Sequence, residues 1–303
     1  MQYETAGDPM TGLKWTRRTT AKVARELQLL GIVVSDRTVA KLLKQMDYSL
    51  RVNHKKLSNG SSEQRDAQFA RIASLREQCA AEGLPLISVD TKKKELVGQF
   101  KNPGAAWRDQ PVQVNDHDFR SQAEGLAVPY GIYDVLANRG TVFVGTSHDT
   151  PEFAVDSIAT WWRYEGQRRY HRAQRITILA DSGGSNGANC RAWKYGLQRK
   201  LCERHRLVVT VAHYPSGASK WNPIEHRLFS EISKNWAGRP LDSYETILNY
   251  IRSTRTVTGL CLRAYLVRKQ YQKGVKIPDP VMRQLPITKD PEFPKWNYTL
   301  CPS

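Results

Sequence analysis

Residues 175–187 read RITILADSGGSNG. Ile176 to Ala180 form a short, β-rich apolar run, too brief for a helix, and the run closes on Asp181 and a glycine-rich turn. The stretch therefore reads as a buried strand with an acid at its C-terminal end. Working outward, residues 188–205 (ANCRAWKYGLQRKLCERH) predict a helix and residues 207–215 (LVVTVAHYP) another strand. Residues 222–238 (NPIEHRLFSEISKNWAG) predict a helix with Asn222 as N-cap, Pro223 at its first position and Gly238 past its end. That helix carries Glu225 in its first turn. Toward the N-terminus, Thr150, Pro151 and Glu152 mark a further helix start. Before it, PYGIYDVL (129–136) and GTVFVGTS (140–147) are strands joined at ANRG, a hairpin-turn signal. LPLISVD (84–90) is a strand ending on Asp90.

The element order is therefore β-β-β-α-β-α-β-α. Three strands, two of them a hairpin, followed by alternating helices and strands predict a mixed sheet covered by helices. This is the order of an α/β, ribonuclease-H-like, five-stranded mixed sheet flanked by helices. In that fold the strand ends bearing Asp90 and Asp181 and the helix bearing Glu225 meet at one sheet edge. An Asp at a strand end is ordinarily a turn or cap residue; three acids agreeing with one topology are a stronger signal.

The N-terminal part is of another kind. Residues 16–30 (TRRTTAKVARELQLL) carry Val23, Ala24, Leu27 and Leu30 at helical spacing. Gly31 and a short turn follow, then SDRTVAKLLKQMDYSL, with Ser35 as N-cap and Val39, Leu42, Leu43 and Met46 as its apolar stripe. Two short helices across a glycine-containing turn predict a helix-turn-helix whose second helix offers Asp36, Arg37, Thr38, Lys41 and Lys44 to a DNA groove. An ordinary helical hairpin with a solvated charged face is the bland alternative. The expected organisation is a helix-turn-helix region at 1–50, a basic linker and helix at 51–83 ending at Gly83, a catalytic domain at 84–240, and a C-terminal helix with a basic tail at 241–303.

The chain has 303 residues, 46 Lys plus Arg against 29 Asp plus Glu, and a net charge of +17. Such a charge attracts polyanions and favours salt-dependent nucleic-acid binding over acidic or membrane-spanning classes. No run of 18 apolar residues and no secretory leader are present in the sequence, so a cytoplasmic location, nucleoid-associated when on DNA, is expected. The five cysteines are scattered without a CxxC pair, which argues against a zinc knuckle and for reduced structural thiols.

Several neighbours of the acids are candidates for DNA contact. Lys92, Lys93 and Lys94 follow Asp90 and can hold a phosphate, against a plain solvated charge run. The Gly183–Gly187 turn lacks a GK[ST] continuation, so it is no P-loop; it suits close approach of DNA, with Asn186 as a hydrogen-bonding residue. His226 lies about 100° around the helix from Glu225, a poor position for shared ligation. Asp134 reads as an ordinary strand residue, and Asp149 with Thr150 as capping residues rather than part of an HD metal pair. The long stretch from Leu96 to Val128, with Phe100, Trp107 and Arg108, suits base stacking or a partner subunit as well as a loop packed on the sheet. Trp161, Trp162, Trp193 and Trp236 fall within helices and read as core.

SVDTKKKELVGQFKN, PYGIYDVL, SHDTPEFAVDSI, ADSGGSNG, SKWNPIEHRLFSEISKNW with GRPL, and the closing WNYT together resemble the Rhodopirellula-type DDE transposases of bacterial insertion sequences, relatives of the mariner-like group. The likeness runs from about Gly7 to Thr299. It implies a ribonuclease-H-like core with Asp90, Asp181 and Glu225 as catalytic, metal-holding triad, and an N-terminal helix-turn-helix that binds transposon ends. It implies a Mg²⁺-dependent polynucleotidyl transferase using two ions, with Mn²⁺ as a substitute, in which Asp90 bridges the ions while Asp181 and Glu225 complete one site each. Water then nicks the element end and the freed 3′-OH attacks target DNA. Transposon ends and target DNA are the implied partners, with a homodimer or higher assembly on DNA. Family members carry further sequence before the stretch matching GDPMTGLKWT, so a shortened N-terminus is expected. The alternative expectation is a catalytically silent remnant that only binds DNA. A structure-selective nuclease is disfavoured by the helix-turn-helix.

Overall fold

The computed structural model describes residues 5–7, 14–16, 18–49, 62–215, 217–218 and 221–303. The chain divides into two compact units, Met1–Leu57 and Ser58–Ser303. In the first, β1 (Thr5–Gly7) and β2 (Lys14–Thr16) form an antiparallel ribbon, followed by α1 (Thr20–Leu29) and α2 (Asp36–Gln45). The helix expected from residue 16 begins later, because Thr16 pairs in the ribbon and Thr19 is the cap, accepting from the Lys22 N–H at 3.3 Å. Ser35 caps α2 as expected, accepting from the Thr38 N–H at 3.1 Å. Between the helices Gly31 takes φ +82°, a left-handed turn that a side chain would oppose. Most of the expected linker, residues 51–61, lies outside the described residues.

The second unit opens with α3 (Ser62–Glu82), which ends as expected at Gly83, at φ +63°. Then follow β3 (Leu86–Thr91), β4 (Glu95–Val97), β5 (Gly125–Asp134) and β6 (Arg139–Gly145). The β5–β6 hairpin turns through Asn138 at φ +51°, with the Ala137 N–H donating to the Asp134 carboxylate at 3.2 Å. Thr150 caps α4 (Pro151–Trp161), accepting from the Phe153 N–H, and the helix runs on through a π-wound turn, Trp162–Gly166, and Gln167–Arg169. β7 (Arg175–Ala180), α5 (Arg191–Leu197, continued by the π-wound Gln198–Glu203) and β8 (Val208–His213) complete the alternation. A π-wound turn, Glu225–Phe229, leads into α6 (Ser230–Asn235), and α7 (Tyr244–Ser253) packs behind it.

The five expected strands stand in the order β8-β7-β3-β5-β6, with β3, β7 and β8 parallel and β5 and β6 antiparallel to their neighbours. The ribonuclease-H-like mixed sheet flanked by helices is present. The C-terminal part, expected as one helix and a basic tail, adds to it. β9 (Cys261–Val267) runs parallel to β6 at one edge, and β11 (Asn297–Leu300) with β10 (Ile287–Lys289) extends the other beyond β8. A short helix, α8 (Asp279–Arg283), lies between them in sequence. The described sheet thus has nine strands, β4 pairing with the start of β5.

Strand alternation sorts the core into two faces. Ile87, Val89, Ile176, Ile178, Val209 and Val211 pack under α4 and α5 with Phe153, Ile158, Trp161 and Trp193. On the opposite face Leu86, Leu179 and Ala212 meet α3, while Tyr133, Val142 and Val144 meet Ile224, Leu228, Phe229 and Trp236. The four helical tryptophans are buried, as expected. Among the described residues no helix is long and apolar enough to cross a membrane.

Candidate active site

The pairing register places two of the acids side by side. β3 and β7 are parallel, with Val89 opposite Ala180, so Asp90 and Asp181 follow at the same end of adjacent strands. Val89 and Ala180 belong to the α4 face. The next residue on each strand therefore points to the other face, where the helix bearing Glu225 lies.

A buried contact fixes that helix. Ser88 Oγ donates to Asn222 Oδ1 and accepts from the Ile224 N–H at 3.2 Å. Asn222, expected as the cap, is instead turned into the core, and the side chain that caps the helix comes from β3, two residues before Asp90. Gly131, opposite Asp90 in the register, makes room for this approach: a Cβ there would stand 2.6 Å from Phe229 and 2.8 Å from Ile224.

All three acids are partly buried, and among the described residues none has a cationic group within 4 Å. Asp90 Oδ1 accepts from the Thr91 N–H and Asp181 Oδ1 from the Ser182 N–H, both at 2.7 Å. Burial pushes Asp90 up to about 7; the Thr91 N–H opposes this, and the charges of Glu225, Asp181 and Asp149 add to it. Burial also raises Glu225, with His226 and Lys92 pulling it down and Asp181 pushing it up. The charge of Asp181 thus raises both other acids at one end of the central strands. As their side chains stand, no three acidic, histidine or cysteine groups among the described residues form a closed ligating cluster. The donor set itself, carboxylate oxygens, is the hard, anionic kind that suits Mg²⁺ or Mn²⁺.

The expected DNA contacts divide. Lys92 does not face solvent: it is 9 % exposed, pairs with Glu95 at 2.9 Å, and its Nζ lies 4.5 Å from the centre of the Trp236 ring. Asn186 is 2 % exposed and accepts from the Tyr130 hydroxyl at 3.0 Å, so its amide is a structural group. Both side chains are thus engaged within the protein, Lys92 by Glu95 and Trp236 and Asn186 by Tyr130. Lys93 and Lys94 are exposed, Lys94 lying 3.6 Å from Asp149. Arg37, Thr38, Lys41 and Lys44 are exposed on α2 in the N-terminal unit. His226 is exposed, and Asp134 is a buried structural acid held by Arg169 at 2.5 Å and Tyr170 at 2.9 Å. In the 96–128 stretch Phe100 is buried and Trp107 wholly exposed. Ser219 and Lys220, part of the SKWNPIE motif, lie outside the described residues.

Two further residues stand at this end of the strands, Asp149, expected only as a capping residue, and His213, which carried no expectation. Asp149 does not cap α4; its carboxylate accepts from Thr91 Oγ1 at 3.1 Å and faces the Asp90 region. His213 ends β8 opposite Ala180, with Nδ1 2.9 Å from the Trp296 carbonyl and Nε2 2.8 Å from the Asn186 carbonyl. Burial lowers its pKa against these two acceptors. It ties the turn after Asp181 to the segment leading into β11. For Asp149 the sequence signal was its place in an HD pair, set aside in favour of capping; for His213 it was only a polar residue at a strand end.

Among solved structures, the chain is similar to a Mos1 transposase paired-end complex with left transposon end: 15 % identity, 77 % of this chain, 65 % of that chain, TM-score 0.46. It is also similar to a mariner Mos1 paired-end complex with Mg, at 16 % identity over 77 % of this chain and 65 % of that one, TM-score 0.45. A third is the catalytic domain of Mos1 mariner transposase, at 12 % identity over 64 % of this chain and 81 % of that one, TM-score 0.40. The chain thus spans about 65 % of the length of the Mos1 chain in the paired-end complexes. No curated protein matches it. The model of the Rhodopirellula transposase DDE domain matches residues 1–302, essentially the entire sequence, and the chain belongs to that family.

Proposed function

We propose that the protein is a DNA transposase that nicks transposon ends and joins the freed 3′-OH to target DNA, with Asp90, Asp181 and Glu225 as its catalytic acids. The observation that carries this is the placement of Asp90 and Asp181 on adjacent strand ends, on the face that holds Glu225's helix, with no cationic group within 4 Å of them among the described residues. The three carboxylates would hold the divalent ions, Mg²⁺ by preference and Mn²⁺ as substitute. When bound, such ions activate the attacking oxygen and stabilise the leaving one. The protein's own part is positional. β3 and β7 set the spacing of the two aspartates, Ser88 sets the helix carrying Glu225, and His213 anchors the turn after Asp181. Exposed Lys93 and Lys94 are suited to a phosphate beside the acids.

Arg37, Thr38, Lys41 and Lys44 on the exposed side of α2 are proposed to contact transposon-end DNA. Pairing two ends calls for at least two copies of the chain. The test is a strand-transfer reaction with element-end DNA and Mg²⁺, comparing the protein with Asp181→Ala. Joining by the unaltered protein alone is expected. Equal joining by both sinks the acid assignment; binding of the ends by both with no nicking by either establishes a silent DNA-binding protein instead.

A further inference from the structure

The end of the sheet opposite the acids carries a second feature. β7 begins at Arg175 and β8 at Val208, paired in register, and the Val208 N–H donates to the Gln174 carbonyl at 2.8 Å. The segment 163–175 (RYEGQRRYHRAQR) and the end of the α5 helix, residues 203–206, therefore meet at the N-terminal ends of these strands. Gln167 Nε2 lies 3.3 Å from His205 Nδ1, joining the two. Burial, and then the charges of Arg204 and Arg163, push His205 down.

Arg163, Arg168, Arg172, Arg175 and Arg204 are all exposed, and among the described residues none lies within 4 Å of a carboxylate. Of the nearby acids, Glu82 lines one groove with Arg169 and Arg172 and accepts from Gln78 Nε2 at 2.9 Å, and the others are engaged. Glu165 is buried against Thr141 Oγ1 at 2.7 Å with Arg263 at 3.7 Å, Glu203 pairs with Arg199, and Asp134 with Arg169. Helix C-termini favour a cation or two. Five unbalanced guanidinium groups exceed that need. Arginine is the side chain suited to forked hydrogen bonding with phosphate.

We infer that this arginine cluster is a second DNA-binding surface, which holds the phosphate backbone of a duplex segment away from the catalytic acids. It rests on the proposed function only for the choice of DNA as the polyanion. The six residues of β7 separate it from Asp181 by about 20 Å. That exceeds the screening length of about 8 Å at physiological salt, so the two regions act on DNA as separate electrostatic sites.

The experiment uses the full chain without divalent ions and a non-specific duplex titrated between about 50 and 200 mM salt. Replacing Arg163, Arg168, Arg172 and Arg175 with Gln should reduce the slope of log K against log salt by about 3.6, at roughly 0.9 per phosphate contact. Replacing exposed Lys273, Lys276, Arg283 and Lys295 with Gln removes the same charge elsewhere and should change the slope by less than about 1. The single R172Q guards against misfolding and should remove about 0.9. An unchanged slope in the patch variant overturns the inference, as does an equal loss in the control set. Loss of binding to phosphatidylserine vesicles with duplex binding intact overturns it in favour of a membrane. Mg²⁺-dependent nicking is scored separately: a patch variant that nicks normally but loses the slope supports the second surface, and one that loses nicking at an unchanged slope overturns it without touching Asp181.

Discussion

Asp90→Asn should stabilise the metal-free protein at pH 8 and do little near pH 4. Burial, with Glu225, Asp181 and Asp149 nearby, raises the Asp90 carboxyl from 3.8 to about 7. Between these two values the folded state holds a proton that the unfolded state has released, so stability falls as pH rises through the window. Above about 7 the penalty is complete; below about 4 it vanishes. At about 1.4 kcal/mol per unit the ceiling is about 4 kcal/mol, and partial solvent access halves this to about 2 kcal/mol. Asparagine keeps an oxygen for the Thr91 N–H and removes the charge. For a unit of this size the gain corresponds to a rise of about 4–8 °C in melting midpoint at pH 8. The assay is thermal unfolding in chelator across pH 4 to 8, repeated with Mn²⁺, which should stabilise the unaltered protein more than the variant. A variant no more stable at pH 8, or a gap that does not grow from pH 4 to pH 8, refutes the argument that Asp90 carries an unbalanced buried charge.

Gly131→Ala should cost about 1–3 kcal/mol, because the new Cβ meets Phe229 and Ile224 below 3 Å. It should also weaken Mn²⁺ binding by displacing Glu225's helix; a calorimetric affinity equal to that of the unaltered protein would show the site does not depend on this approach. His213→Ala leaves the Asn186 carbonyl without the imidazole and should lower stability by about 1–3 kcal/mol, read by denaturant titration. Lys92→Ala removes Glu95's partner and the contact with Trp236, for about 2 kcal/mol, and should leave the salt slope of duplex binding unchanged. A slope reduced by about 0.9 at unchanged stability would return Lys92 to the DNA contacts.

Much of the second unit was legible in the chain because its central strands are buried on both sides. LISV, YGIYD, TVFV, ITILA and the run at 208–213 are nearly continuous apolar or β-branched segments. β9 was not legible: at a sheet edge only alternate residues are buried, and Arg263 and Tyr265 face outward, so CLRAYLV reads as basic tail. β10 and β11, three and four residues long, are too short to declare a period and are strands only because β8 offers an edge to β11 and β11 one to β10. The π-wound turns beginning at Trp162, Gln198 and Glu225 left no local signal either.

The sequence alone determined the succession of the five central strands and their helices along the chain, the ends on which Asp90 and Asp181 sit, and the helical position of Glu225, because hydrophobic period and turn chemistry are local properties. Tertiary structure decided where side chains turn and what they meet. Lys92 and Asn186 were drawn into buried contacts with Glu95, Trp236 and Tyr130, Ser88 took over the capping expected of Asn222, and Asp149 and His213 came to the edge of the acidic site. A buried polar group must find a partner, and that partner is chosen by packing across the sheet, tens of residues away in sequence.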